Sequence, residues 1–516
     1  MPHSSSVTTI ELDGDALSLK QLHQMWEQEI RICLGNRARG KVQESQEFVM
    51  QSIKGDHPLY GINTGFGKLA HVRIDRSKLD QLQENLIRSH SVGVGEPLSD
   101  DVVRMSMILK VNALAKGYSG VRPELIDLMC ALISESIFPI VPSQGSVGAS
   151  GDLAPLAHIA NALIGEGSAT RNGTKTPVVQ AMEDSGLIPL QLAPKEGLAL
   201  LNGTQVSTAL ALIALFKAER ILFASLIAGA MSAEATKSSD TPFDPRIHRV
   251  AGHPGQLDVS KLLQHLMSGS QIRASHVSCK KVQDPYSIRC QPQVMGACLD
   301  ALHHAAEVLR IESNSVTDNP IVFAGTDAIL SSGNFHAEPI AMVSDYMALS
   351  IAEIGALSER RIALLMDSNM SQLPEFLVKD TGVNSGFMMA QVTAASLASE
   401  NKVLAHPACV DSIPTSANQE DHVSMSTFAA RRLHDMLANT SRIVAIELIA
   451  AAQGIEFRRP LKSSQSLEQS FSQVRTLSAP YVEDRSLAKD IEAVSQMVVD
   501  GGFDSFAQSM FPSTNA

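Results

Sequence analysis

The sequence predicts a mainly α-helical protein, a bundle of long near-parallel helices with a smaller N-terminal portion carrying active-site loops. Three observations carry that expectation. From residue 293 onward apolar residues step by three and four, as in Leu299, Leu302, Ala306 and Leu309 and again in Val343, Met347, Ile351 and Ile354, the period of one helix face. Residues 197–216 lack charge and nominally reach membrane-spanning length, yet Asn202-Gly203-Thr204-Gln205 interrupts them, which favours a helix buried in a protein core. Only 4% of residues are aromatic while 20 are methionine, a composition suited to close helix packing, expected here over a sheet core. At 516 residues the chain can hold several domains. The expected division is an N-terminal portion over 1–200, a central long-helix bundle over 201–460 and a C-terminal helical layer over 461–516.

Charge and cysteine usage narrow the function. A formal net charge of -12 without a basic cluster argues against nucleic acid or an anionic membrane as partner, and for a small-molecule ligand. Six cysteines, Cys33, Cys130, Cys279, Cys290, Cys298 and Cys409, include no C-x-x-C pair, which fits free thiols in a reducing compartment and makes zinc improbable. The charged first forty residues contain no apolar core typical of a signal peptide, so a cytoplasmic location is expected.

Taken in order, residues 16–54 read as amphipathic helix. Leu59-Tyr60-Gly61-Ile62-Asn63-Thr64-Gly65-Phe66-Gly67 is a glycine-punctuated loop, in which a tyrosine is ordinarily half-buried. A second block, 82–97, contains Ser89-His90. The central stretch is Ser143 to Ala160, where Gly145, Gly148 and Gly151 precede Asp152 and Pro155, residues found where a helix begins. Residues 168–190 are polar and poorly periodic, consistent with a surface excursion. Between 236 and 292 helix periodicity is unclear and prolines recur. Inside that stretch Gln283, Tyr286 and Arg289 are spaced by three, which places them on one side of a single turn. Either a solvated face or a carboxylate grip has that spacing. Two polar connections, 315–320 with 332–339 and 414–422, interrupt the later helices.

The central loop admits two readings. Its glycines could simply form a turn in a nucleotide-binding or helical scaffold protein, although their spacing misses the G-x-G-x-x-G fingerprint. Alternatively, if the Gly151 nitrogen is pressed onto the Ala149 carbonyl carbon, a five-membered ring can close. Loss of two waters, one from the Ser150 hydroxyl, then leaves an exocyclic methylidene, a strong electrophile made from backbone.

Gly145-Ser146-Val147-Gly148-Ala149-Ser150-Gly151-Asp152-Leu153-Ala154-Pro155-Leu156 resembles the signature of the aromatic amino acid ammonia-lyases, whose electrophile is 4-methylidene-imidazol-5-one. Further blocks from about 57 to 460 resemble the branch acting on histidine, where Ser89-His90 stands in place of the His-Leu or Phe-Leu of relatives acting on tyrosine or phenylalanine. The resemblance implies a ring formed autocatalytically from Ala149, Ser150 and Gly151, with no metal and no nucleotide. It implies Tyr60 as base for the β-proton, Arg289 on the substrate carboxylate, and His90 with Glu420 on the imidazole. It further implies Asn202, Gln283 and Tyr286 as hydrogen-bonding site residues and Phe335 as a wall. Relatives acting on phenylalanine and tyrosine carry neutral amides where Glu420 stands. The activity implied is deamination of L-histidine to trans-urocanate and ammonia, the opening step of histidine degradation, by a homotetramer with shared sites. A lyase or aminomutase for phenylalanine or tyrosine is the nearer alternative.

Overall fold

The computed structural model describes residues 8–55, 57–276, 283–504 and 510–513. Its N-terminal region departs from the single helix expected over 16–54. Strands Thr8–Leu12 and Ile30–Leu34 pair in parallel around helix Leu19–Glu27, and a second helix follows over Asn36–Ser52. Ser18 starts the first helix with a capping box, its side chain accepting from Gln21 N while the Gln21 side chain accepts from Ser18 N, which satisfies two otherwise free amides. The break is legible afterwards in the alternation of Ile30, Ile32 and Leu34, all buried, with exposed Arg31 and Cys33. That is the period of a strand.

Helix α1 (Leu79–His90) ends at His90, and helix α2 (Leu153–Leu163) opens after the central glycine loop. The stretch 168–190 is more regular than its polarity suggests. Strands Ser168–Arg171 and Thr174–Pro177 form a hairpin that extends Ile137–Pro139 into a three-stranded sheet. Across 236–276 the prolines begin helices instead of preventing them. Pro245 and Pro254 are the first residues of Pro245–Ala251 and Pro254–Met267, positions where a missing N–H costs nothing.

Four long helices form the bundle: α3 (Gln205–Ala235), α4 (Gln291–Glu312), α5 (Glu338–Met366) and α6 (Ser426–Glu456). In α3 only Lys217 and Arg220 escape full burial, so the helix has no polar stripe and lies at the centre of the bundle. Helix α6 packs along both α3 and α5. Gly355 of α5 faces Thr440 and Ile443 of α6, and a side chain there would crowd the approach. A fully buried ion pair lies in the bundle interior. Arg361 donates to both oxygens of Glu447 at 2.5 and 2.8 Å, and Ser232 and Ser358 donate to the same carboxylate, so α3, α5 and α6 meet there.

No sheet underlies these helices among the described residues, contrary to expectation. Among the described residues the strands form only small sheets of two or three strands, and the bundle core is helix on helix. The alanine-rich, aliphatic surfaces pack closely enough to need no second kind of layer. Helix α5 is long and apolar enough to cross a membrane, but 61% of its apolar window is buried inside the bundle. Helices Gln465–Leu477 and Ala488–Val499 pack on α6. One apolar core includes residues from Leu12 to Phe511, so the N-terminal, central and C-terminal portions are packed on one another.

Candidate active site

The loop between strand Pro142–Gln144 and α2 is pinned from several directions. Gly148 and Gly151 both have positive φ, +67° and +74°. A Cβ on Gly148 would lie 2.3 Å from Ser424 Oγ, and one on Gly151 only 2.1 Å from the Gly203 carbonyl oxygen, so neither position accepts a side chain. The Gly148 carbonyl accepts from Ser424 Oγ at 2.9 Å and from Ala337 N at 3.3 Å, and the Val147 carbonyl accepts from Met425 N at 2.8 Å. On the other side Asp152 N donates to the Gly203 carbonyl at 2.8 Å. Ala149-Ser150-Gly151 is thereby held against three distant segments.

Asp152 stands at the start of α2, as its sequence position suggests, but its side chain makes no cap bond. The fully buried carboxylate instead accepts from Ser207 N at 2.7 Å, Ser207 Oγ at 3.0 Å and Thr427 Oγ1 at 2.7 Å. It ties α2 to α3 and α6. Burial raises its pKa, and these hydrogen bonds oppose the rise.

Ser150 opens onto a cavity of about 680 Å³ lined in part by Tyr60, Phe66, His90, Asn202 and Glu420. Its hydroxyl donates to Glu420 Oε1 at 2.8 Å. Thr415 Oγ1 and Ser416 Oγ hold the other carboxylate oxygen at 2.6 and 2.9 Å, so Glu420 is aimed by its own loop. The Tyr60 oxygen accepts from Gly67 N at 3.1 Å. His90 Nδ1 lies 2.8 Å from the Leu86 carbonyl. A carbonyl can only accept, so the proton sits on Nδ1 and a neutral His90 ring keeps a lone pair on Nε2.

Asn202 sits in the break between helix Glu196–Leu201 and α3, with its side chain donating to the Leu198 carbonyl at 3.1 Å. Behind it is a residue that sequence reasoning missed. Lys110 is buried and donates to the Asn202 and Ala199 carbonyls at 2.5 and 3.2 Å. Burial lowers its pKa to about 7, with Lys195 pushing the same way and Asp318 and Asp152 opposing. One lysine inside the apolar run Met105-Ser106-Met107-Ile108-Leu109-Lys110-Val111 was the available signal.

Four expected site residues are not brought to this cavity within one chain. The turn Tyr286–Arg289 packs against α4 and α5, and Gln283 precedes it outside the helix, so the expected three-residue face reduces to Tyr286 and Arg289. The Arg289 guanidinium lies 4.6 Å from the ring of its own Tyr286, which is 70% exposed. Phe335, half-buried in the connection before α5, also lies off the cavity lining. The spacing-based expectation failed here because Pro285 begins a new turn after Gln283 instead of continuing one. Among the cysteines, Cys279 lies outside the described residues and the other five are free thiols.

Residues 17–476 match the family described as aromatic amino acid lyase. The chain belongs to that family. A histidine ammonia-lyase of Vibrio cholerae serotype O1 is 56% identical over 93% of this chain and 94% of its own length. The crystal structure of a histidine ammonia-lyase from Trypanosoma cruzi aligns with a TM-score of 0.90 at 40% identity, covering 98% of this chain and 96% of that one. A tyrosine aminomutase from Streptomyces globisporus aligns with a TM-score of 0.92 at 35% identity, covering 97% and 98%. The aromatic amino acid lyase fold therefore does not by itself choose the substrate. That choice rests on side chains.

Proposed function

We propose that this carbon–nitrogen lyase converts L-histidine to trans-urocanate and ammonia, using a methylidene-imidazolone closed from Ala149, Ser150 and Gly151. The observation that carries the reading is the carboxylate of Glu420 facing Ser150 at 2.8 Å. A carboxylate at that place suits a substrate ring that offers an N–H and can take positive charge, whereas a phenyl or phenol ring gains nothing comparable from it. Relatives named histidine ammonia-lyase at over half identity across nearly the whole chain support the same substrate.

The tripeptide fits the ring on its own geometry. Gly151 has no room for a side chain, and the hydrogen bonds at Gly148 and Asp152 hold the segment between them in a tight bend. Once formed, the ring supplies an electrophile that makes the substrate's amino group a better leaving group. In the overall reaction the Cβ–H and Cα–N bonds break, a trans double bond forms between those carbons, and the proton departs with ammonia. Tyr60 takes the β-proton, and the Gly67 N–H aimed at its oxygen is a contact that a phenolate would accept. His90 and Glu420 seat the imidazole, while Asn202 hydrogen-bonds within the cavity. The N-terminus of α2 favours negative charge on the neighbouring carbonyl oxygen.

Gln283, Tyr286, Arg289 and Phe335 complete the site from other copies of the chain in a homotetramer, Arg289 holding the carboxylate. Their position away from the Ser150 cavity, with Tyr286 and Gln283 exposed, supports this sharing. The five free thiols support a reducing, cytoplasmic setting. Incubation with L-histidine, L-phenylalanine and L-tyrosine separately, with product masses read directly, tests the substrate. Urocanate from histidine alone is expected, and a cinnamate, coumarate or β-amino acid as main product would overturn the assignment.

A further inference from the structure

We propose that His336, Glu338 and His422 form a binding site for a divalent cation of the zinc class, clamping the connection that carries Phe335 to the loop that carries Glu420. The three donor groups come from two segments far apart in sequence. His336 lies just before α5, Glu338 is the first residue of α5, and His422 follows the loop ending at Glu420. Their ligand atoms all lie within 4.8 Å of one another. His422 Nδ1 and His336 Nε2 are 3.1 Å apart, with the ring centroids 5.2 Å apart and the planes inclined by 31°.

That nitrogen separation has two explanations. One imidazole can donate an N–H to the other, or both can turn lone pairs toward one ion. A tetrahedral zinc with Zn–N of about 2.0–2.1 Å places two imidazole nitrogens about 3.3 Å apart, so both fit. Glu338 distinguishes them. Its Oε2 is buried and has no hydrogen-bond partner, although a carboxylate oxygen is an acceptor that burial ordinarily supplies with a donor. A hydrogen bond between the two imidazoles leaves this oxygen as it is. A cation between the three groups gives the Glu338 carboxylate and both imidazoles a partner at once.

The donor set also selects the ion. Two imidazoles and one carboxylate suit Zn2+, Co2+ or Ni2+, whereas Mg2+ and Ca2+ prefer all-oxygen shells. Three protein ligands leave a fourth position for water. The clamp lies close to the central loop, because Ala337, between two of the ligands, donates to the Gly148 carbonyl. It also anchors the C-terminal end of the loop in which Thr415 and Ser416 aim Glu420. None of the three residues lines the Ser150 cavity, so their role is positioning.

The test uses the full chain stripped with a chelator, dialysed against Zn2+, desalted and analysed for zinc per chain. About one ion per chain is expected, with affinity falling by about a hundredfold or more in His336→Ala, His422→Ala and Glu338→Gln. The exposed-histidine variant His265→Ala and the thiol variant Cys409→Ser should bind as the parent does. Glu338→Gln nearly preserves shape, which guards against a folding artefact, and thermal melting adds an independent readout. Zinc should raise the melting temperature of the parent and leave that of His422→Ala unchanged. No uptake by the parent, equal uptake by all three ligand variants, or loss of uptake in Cys409→Ser would each overturn the site. Because the readouts are metal content and melting, they stand apart from the substrate assignment.

Discussion

The long-helix bundle and the loops around Ser150 keep their shape by different means. In the bundle, α3 is buried almost all round and the apolar contacts are shared among many side chains, each fully buried Leu or Ile contributing about 1.5–3 kcal/mol. In the loop cluster the shape depends on two glycines, one buried carboxylate and a few backbone hydrogen bonds. Damage to the bundle should therefore lower stability while sparing the chemistry of each folded chain. Damage to the loops should fall chiefly on the chemistry, with a smaller cost in stability.

Ser150→Ala is the largest expected effect on the chemical side. Activity should fall by at least about a thousandfold, with circular dichroism and melting temperature close to the parent. A variant that stays active would break both the comparison and the proposed electrophile. Gly151→Ala comes next, because its Cβ meets the Gly203 carbonyl at 2.1 Å and its φ is strained for alanine at about 1–3 kcal/mol. It should yield chain that has not closed the ring, detectable by intact mass, with a lowered melting temperature.

The bundle has a matching test. Arg361→Met leaves Glu447 buried without its cation, and stability should drop by about 3–5 kcal/mol, read as a shifted denaturant midpoint, while turnover per folded chain holds. Glu420→Gln is smaller and chemical. Histidine turnover should fall by about a hundredfold, far more than in Arg88→Gln, since Arg88 is a half-exposed residue paired with Glu84 and Glu166 on the surface. Equal losses would remove the substrate assignment.

The smallest effect is a pH dependence within the bundle. Glu219 on α3 is fully buried, and burial pushes its pKa up to about 8, against the hydrogen bonds from Ser513. A folded-state pKa above the ordinary carboxylate value means the neutral form is the one the fold accommodates. The associated stability is present in full below about 4.5 and is lost as pH rises through about 8. The melting temperature of the parent should thus fall between about pH 6 and pH 9 by more than that of Glu219→Gln. Parallel curves for the two proteins would show that Glu219 is already ionised in the folded chain across this range.

Legibility in sequence follows the same division. Helices α4 and α5 were readable because their apolar stripes keep the helical period over many turns, and the α3 break at Asn202-Gly203 was marked by its polar residues. The N-terminal strands escaped because Ile30 to Leu34 is a short alternating run beside two helical patterns, where period two and period 3.6 are hard to separate. At the site, Ser150, Glu420, Tyr60, His90 and Asn202 were recognisable from local blocks and do converge on one cavity. Arg289 and Phe335 were equally recognisable, but within one chain they lie off that cavity, a placement that local blocks do not contain. Lys110 and the His336–His422 pair were invisible for another reason. Each acts through neighbours about ninety residues away, and cysteine spacing, the metal signal weighed in the sequence, says nothing about histidines.

The reagent on which the chemistry depends leaves a signature in the covalent mass of the chain. Ring closure with loss of two waters should make the mature protein about 36 Da lighter than its sequence, with the deficit mapping to the peptide containing Ser150 and absent from Ser150→Ala. Active protein whose Ala149-Ser150-Gly151 peptide carries its full, unclosed mass would contradict the account.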